Sequence, residues 1–306
     1  MIVVIGSINM DLVLSVPRMP LPGETLSGGQ FRTIPGGKGA NQAVACARLS
    51  ADGIKVAMIG CLGDDAFGAE LRAALRRDGI DDSHVATLPG VASGVASILV
   101  DAGGQNSIVL AAGANDQLSP AHIDAARDLI AQARMVVLQL ETPLATVRHA
   151  IRLAHELGKI IILNPAPAPA QALPADLLAQ VTYLVPNEIE AAMLAGLPAA
   201  SLDNDAALDA AVEKLRAGGC GNVLVTLGAK GVYAALAGGA RHFAAQAVTA
   251  VDTTAAGDTF IGGFVAALAA GHSEADAIAF GQQAAALSVA RAGAQTSIPY
   301  RHELIG

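Results

Sequence analysis

Short apolar runs rich in β-branched residues recur along the chain. Most are followed by a longer stretch in which apolar positions return every three or four residues. The runs at 2–5, 56–59, 135–140, 160–163, 183–185 and 223–226 are nearly free of polar positions, the pattern of strands covered on both faces. Between them, 39–49, 68–78, 120–131, 144–157, 188–194 and 205–217 read as helices, and 257–270 and 273–292 predict two longer ones at the end. Such alternation predicts an α/β unit whose mostly parallel sheet is built from right-handed crossovers. A further run at 232–236 turns back on 223–226 as a hairpin.

Two segments break the alternation. Residues 11–34 carry a strand-like run at 12–16, a turn-rich Pro-Arg-Met-Pro-Leu-Pro-Gly and a second strand candidate. Residues 93–111 read as a β-hairpin about Asp101-Ala102-Gly103-Gly104. Neither brings a helix of its own. Together they predict a small sheet inserted into a single domain spanning 1–306. One apolar face of such a sheet needs cover, so it is expected to act as a lid over a site or to pair with a second subunit.

Composition narrows the partners. The net charge of the 306 residues is −8, and Lys and Arg are scattered, which argues against nucleic acid and against an anionic membrane surface. Hydrophobic residues make up 53% but aromatics only 3%, with no Trp, so close-packed helices are expected rather than a base-stacking platform. Cys46, Cys61 and Cys220 are far apart and form no CxxC, which fits a reduced, cytoplasmic setting. The start, Met1-Ile2-Val3-Val4-Ile5-Gly6, lacks the basic opening of a signal peptide. Gly37-Lys38 is followed by Gly39, so there is no P-loop, and no Gly-x-Gly-x-x-Gly follows Ile5. No histidines cluster at metal-ligand spacing.

The chemistry concentrates at Asp252-Thr253-Thr254-Ala255-Ala256-Gly257-Asp258, at the mouth of an apolar helix. Unpaired N–H groups and the helix dipole favour an anion there, and Ala255, Ala256 and Gly257 leave it room. Asp258 adds a carboxylate beside that anion, the pairing phosphoryl transfer needs, although an Asp at this place would also serve as a cap. Asn9 and Asp11 are placed at the end of the first strand, two apart and so on one face, as suits a vicinal diol. Gly36-Gly37-Lys38-Gly39-Ala40-Asn41 enters a helix with close backbone approach, a point charge and an amide. Glu141 follows a strand end, where ligands of parallel sheets gather. Asn187 and Glu190 share a face of a short helix, either as a cap pair or with Glu190 near water-coordinated Mg2+. Thr226-Leu227-Gly228-Ala229-Lys230-Gly231 ends another strand, and its glycines leave room for a nucleotide.

With these residues in place, the chain resembles the ribokinase family of sugar kinases, which also holds adenosine kinase and the minor phosphofructokinases. The likeness runs from Val3 to about Pro299. It rests on Gly6-Ser7-Ile8-Asn9-Met10-Asp11, Gly36-Gly37-Lys38-Gly39-Ala40-Asn41-Gln42-Ala43, Leu163-Asn164-Pro165-Ala166-Pro167, Pro186-Asn187-Glu188-x-Glu190, Thr226-Leu227-Gly228 and Asp252 to Asp258. The resemblance implies a three-layer α/β/α fold with a β-sheet lid, and ATP-dependent phosphorylation of a sugar, D-ribose at its 5-hydroxyl by preference. Asp258 would be the catalytic base, with Ala255, Ala256 and Gly257 lining the hole for the transferred phosphoryl group. Asn9, Asp11, Gly37, Lys38, Asn41 and Glu141 would hold the sugar. Asn187, Thr226, Gly228, Lys230 and Gly231 would lie along ATP, with Glu190 near Mg2+. A monovalent cation, K+, is implied at Asp252, Thr254, Ser288, Arg291, Gly293 and Ser297, largely through carbonyls and with the Arg291 side chain turned away. Lids of two subunits would interlock in a homodimer.

Two positions depart from the family pattern. Gln282 stands where an Asn near adenine is common, and Met10 is bulky between Asn9 and Asp11. Facing the core, Met10 is without effect; crowding the sugar, it would shift substrate choice. Kinases of 2-deoxyribose and of nucleosides share these motifs. A catalytically silent sugar sensor on the same fold is disfavoured by the intact Asp258, Gly257, Asn187 and Glu190. A nicotinamide-dependent oxidoreductase would need the missing glycine fingerprint.

Overall fold

The computed structural model describes residues 1–169, 172–199, 201–202 and 204–304; the remaining six positions of the expected 1–306 domain lie outside the described residues. Along the chain run β1 (Ile2–Ile5), β2 (Asn9–Ser15), β3 (Phe31–Gly36), α1 (Lys38–Leu49), β4 (Val56–Gly63), α2 (Ala66–Arg77), β5 (Asp81–Leu88), β6 (Gly94–Val100) and β7 (Asn106–Ala111). Next come α3 (Pro120–Ala125), α4 (Arg127–Gln132), β8 (Met135–Leu138), α5 (Leu144–Glu156), β9 (Ile160–Leu163), α6 (Ala175–Leu178), β10 (Tyr183–Leu184), α7 (Glu188–Leu194) and α8 (Asp205–Ala217). The hairpin strands β11 (Asn222–Thr226), β12 (Val232–Leu236) and β13 (Gly239–Phe243) precede α9 (Ala256–Ala269) and α10 (Glu274–Val289).

Nine strands form one sheet in the order β13-β12-β11-β10-β9-β8-β1-β4-β5. It is parallel from β11 to β5 and antiparallel at the β12 and β13 end. Alternate strand residues feed two cores. Val3, Ile5, Val136, Leu138, Ile161 and Leu163 pack with α3 to α8 on one face, and Ile2, Val4, Met135, Val137 and Ile162 with α1, α2, α9 and α10 on the other. The layers are therefore helix, sheet, helix, as the sequence pattern implies. Among the described residues no helix is long and apolar enough to cross a membrane.

The two interrupting segments meet in a second sheet of order β3-β2-β6-β7, with β2 parallel to β6 and the outer pairs antiparallel. The first strand stops at Ile5, so Asn9 and Asp11 open β2 in this second sheet instead of closing the first strand. Met10, between them, is fully buried in the core with Ile8 and Ala40, the placement expected to be without effect.

Other expected boundaries shift for local reasons. The helix expected at 120–131 divides at Ala126, whose φ/ψ of −96/10° leaves the helical region. The strand expected at 135–140 ends at Leu138, and the last helix stops at Val289. The sheet edges β5 and β13 were invisible in the pattern, because Asp81–Leu88 buries only Val85 and Gly239–Phe243 buries no residue.

Helices α1, α9 and α10 lie side by side along a seam of small residues. A methyl at Gly262 would fall 2.2 Å from the Ala45 Cβ, and one at Gly263 would fall 2.9 Å from the Gly281 Cα. Backbones meet there almost directly, which the Ala- and Gly-rich sequence permits.

Candidate active site

Helix α9 starts at an Ala255 N-cap held in the left-handed region, φ 59°, the only non-glycine residue with positive φ among the described residues. That conformation costs about 1–2 kcal/mol for a side chain and marks a site where the fold holds backbone against its preference. The N–H of Ala256 donates to the Thr253 carbonyl at 3.2 Å, whereas those of Ala255, Gly257 and Asp258 meet no carbonyl among the described residues. Three free donors at the positive end of a fourteen-residue helix suit a phosphoryl group.

Asp258, 7% exposed, sits in the first turn of this helix. Its Oδ2 accepts from Asn41 Nδ2 at 3.1 Å and its Oδ1 from Gln42 Nε2 at 2.9 Å, both from the start of α1. A cavity of about 200 Å3 opens beside it, walled by Lys38, Asn164, Asn187, Glu190, Thr226 and residues 255–258. A larger groove of about 590 Å3, at the far end of α1 around Arg48 and Tyr300, holds none of these groups.

The residues expected to hold a sugar gather at the start of α1. Gly37, φ 87°, begins the helix, and a methyl there would fall 2.7 Å from the Asn9 amide nitrogen. One at Gly36 would fall 2.3 Å from Asp11 Oδ2, so these glycines let the turn close onto β2. Glu141 Oε2 accepts from the Ser7 hydroxyl at 2.6 Å and from the Lys38 N–H at 3.2 Å, leaving Oε1 for a ligand. Asn9 Oδ1 accepts from Asn115 Nδ2 at 2.7 Å, and Asn115 Oδ1 takes the Ile8 N–H.

Charge is dense here. Burial, then Glu141 and Asp258, push the Asp11 carboxyl up to about 7, against the opposing pull of Lys38. Burial works against the Lys38 ammonium, but Asp258, Glu141, Glu190 and Asp11 together outweigh it and raise its pKa. Burial also raises Glu190, offset by the Asn187 N–H and by Lys38.

The capping reading of Asn187 and Glu190 holds: Asn187 Oδ1 accepts from the Glu190 N–H and Glu190 Oε2 from the Asn187 N–H, both at 2.8 Å. The pair nevertheless faces the cavity, and a bridge from Asn187 to Thr226 brings the two strand ends together. Lys230 stands apart, 4.0 Å from Glu188 on the surface. The Gln282 amide donates to the Phe243 and Ala244 carbonyls at 2.9 and 3.2 Å and so ties down the end of β13.

Of the residues named for a cation, Asp252, Thr254 and Gly293 form a separate knot. Asp252 Oδ1 accepts from the Thr254 N–H and hydroxyl, and Oδ2 from the Gly293 N–H at 2.9 Å. With the Asp252 oxygens so engaged, a cation would meet carbonyls. Ser288 and Ser297 are fully buried, and the Arg291 side chain turns out to Glu303. Among the described residues, no three of His, Cys, Asp and Glu gather as a resident metal site.

Five polar residues of the site carried no role in the sequence reading: Ser7, Gln42, Asn115, Gln139 and Asn164. Gln139 and Asn164 directly follow β8 and β9. A polar residue ending a buried strand was the available signal.

Comparison with known proteins agrees with this geometry. Residues 1–301 match the model of the pfkB family carbohydrate kinases, and the chain belongs to that family. It is 47% identical over 302 residues to the ribokinase of Haemophilus influenzae, covering 99% of this chain and 96% of that protein. It is 40% identical to the deoxyribokinase of Salmonella typhi, covering 97% and 95%. The solved structure of Arabidopsis thaliana ribokinase complexed with ribose and ATP superposes with TM-score 0.91 at 32% identity, covering 99% of this chain and 97% of that one.

Proposed function

We propose that this protein transfers the γ-phosphoryl group of ATP to the 5-hydroxyl of D-ribose, giving D-ribose 5-phosphate and ADP. The observation that carries this is the carboxylate of Asp258 beside three free N–H groups at the start of α9, with the buried Asn9 and Asp11 and the half-buried Glu141 set for hydroxyls at one side.

In this reading Asn9, Asp11, Gly37, Asn41 and Glu141 hold the sugar's hydroxyls and Lys38 lies between sugar and phosphates. Asp258 takes the hydroxyl proton as the oxygen attacks phosphorus. The free N–H groups of Ala255, Gly257 and Asp258 face the charge that spreads over the transferred group. Asn187, Thr226, Gly228, Lys230 and Gly231 lie along the nucleotide, and Gln282 supports the adenine side through the end of β13. Mg2+ travels with ATP and neutralises phosphate charge, Glu190 holding its water shell through the Oε1 that the cap leaves free. K+, bound by carbonyls of the Asp252–Gly293 knot together with Thr254, Ser288, Arg291 and Ser297, would fix the loop that aims the anion hole.

The second sheet acts as a lid, and the protein works as a cytoplasmic homodimer. What supports pairing is the run of exposed apolar residues on that sheet: Phe31, Ile108, Val109 and Leu110 are each at least half exposed. Neither nucleic acid nor a membrane is a partner in this reading.

ADP release measured with ribose, 2-deoxyribose, ribonucleosides and fructose 6-phosphate tests the proposal. Ribose should give the highest kcat/KM. A preference for 2-deoxyribose would favour the second reading, which the Salmonella relative supports, and no release with any sugar would leave the silent sensor.

A further inference from the structure

Behind the carboxylate of Asp258 lies a chain of buried amides that the sugar and phosphate sites do not use. Gln42, fully buried on α1, spends its whole side-chain amide on protein partners. Its Nε2 donates to Asp258 Oδ1 at 2.9 Å and to Asn164 Oδ1 at 3.1 Å, and its Oε1 accepts from Gln139 Nε2 at 2.6 Å. Asn164 is fixed in turn, its Nδ2 donating to the Val185 carbonyl at 2.9 Å. Gln139 holds Gln42 while its own Oε1 stays buried without a partner. Leaving such an atom unpaired costs stability, so the arrangement favours position over saturation. Gly6 makes the room: a methyl there would fall 2.0 Å from Gln139 Oε1.

The other oxygen of Asp258 is held differently. Asn41 Nδ2 reaches Oδ2 at 3.1 Å, and Asn41 Oδ1 is buried with no partner. Asn41 is therefore free to turn toward a ligand, whereas Gln42 is locked at both ends.

We infer that Gln42, clamped by Gln139 and Asn164, is the positioning residue of Asp258: it immobilises Oδ1 and leaves Oδ2 as the atom that receives the sugar's hydroxyl proton. The inference rests on the kinase reading. On sugar binding, Asn41 shares its amide between Oδ2 and the sugar, and its partnerless Oδ1 accepts a sugar hydroxyl. The proton passes from that sugar's reacting hydroxyl to Oδ2 as the oxygen–phosphorus bond forms and the bond to ADP breaks.

The charged groups facing Asp258 are Lys38 from α1, Asp11 from β2 and Glu190 from α7, with Glu141 beside Lys38 and Asp11. All are unchanged by substitution at Gln42. Gln42→Leu should lower kcat roughly ten- to a hundredfold, the range for one charge-assisted hydrogen bond. KM for ribose should change by less than about threefold, since Gln42 does not touch the sugar in this arrangement. Gln42→Glu keeps the volume and reverses the alkaline behaviour. Its neutral carboxyl can donate to Oδ1 as the amide did, while its ionised form repels Asp258, so activity should fall as pH rises through the range where the parent is fully active.

Ribose binding by calorimetry and thermal melting establish that each variant is folded. Should both Gln42 variants unfold, Asn164→Ala at the cavity wall carries the test, with a smaller loss of kcat and KM for ribose within about threefold. Parent-like kcat in the Gln42 variants, or a loss confined to KM, overturns the inference. Absence of kinase activity in the parent protein would instead overturn the functional proposal.

Discussion

In the proposed reading Asp11 sets sugar binding against stability, and the size of the conflict follows from its surroundings. A carboxyl that ionises at 3.8 in the unfolded chain and at about 7 in the fold binds more protons folded than unfolded between those values. Folding stability therefore falls as pH rises from about 4 to about 7 and is flat above. At 1.36 kcal/mol per pH unit, ionised Asp11 costs up to about 4 kcal/mol above pH 7. Asp11→Asn removes the charge and keeps the shape. Urea unfolding of parent and variant without ligand, at pH 4.5, 6, 7 and 8, should give stabilities that differ by only about 1 kcal/mol at the acid end. A gap should then open with pH, the variant being more stable by as much as about 4 kcal/mol at pH 8. Sugar binding should move the other way. Each hydrogen bond from a hydroxyl to the ionised carboxylate is worth about 1.5–3 kcal/mol, so KM for ribose should rise tenfold or more. A stability difference that does not vary with pH would refute the electrostatic reasoning. An unchanged KM would remove Asp11 from the sugar site.

Asp258→Asn should lower kcat by about 10²–10⁴, the range for a positioned base, with ribose affinity by calorimetry within a few-fold; near-normal turnover would exclude a base role. Initial rates at fixed Mg-ATP and ribose should be highest in K+ and low in Na+, Li+ or a bulky organic cation at equal ionic strength, and equal rates in all four would reject a functional cation knot at Asp252 and Gly293. Val109→Lys, 68% exposed in the parent, should leave folding intact and halve the mass seen by light scattering; an unchanged mass would place any dimer contact elsewhere.

Burial on both faces made the central strands legible. β1, β8 and β9 stand out because each of their residues meets a core, apart from the partly covered Ile160. β5 and β13 do not, because an edge strand needs backbone partners more than apolar side chains. The turn at Ala255–Asp258 was legible because small residues before an apolar helix have few other uses. The partnership of Gln42 and Asn41 with Asp258 was not, since it spans more than two hundred residues of sequence and forms only when α1 and α9 pack together. Capping at Asn187 and Glu190 was legible in full, because it is local. The engagement of Gln282 with Phe243 and Ala244 was hidden for the opposite reason, as β13 left no trace in the pattern.

The seam between α1, α9 and α10 bears on how well this site keeps its dimensions. Side chains of Gly and Ala have no rotamers, so the spacing of these helices does not depend on which torsional well a long side chain occupies. Asn41 and Gln42 on α1 and Asp258 on α9 are thereby set at hydrogen-bonding distance by backbone against backbone, a gauge that heating or remote substitution hardly alters. The same gauge has no slack. A single added methyl at Gly262 would wedge α9 from α1 and draw the carboxylate away from its donors, whereas one at Gly263 would press on α10 instead.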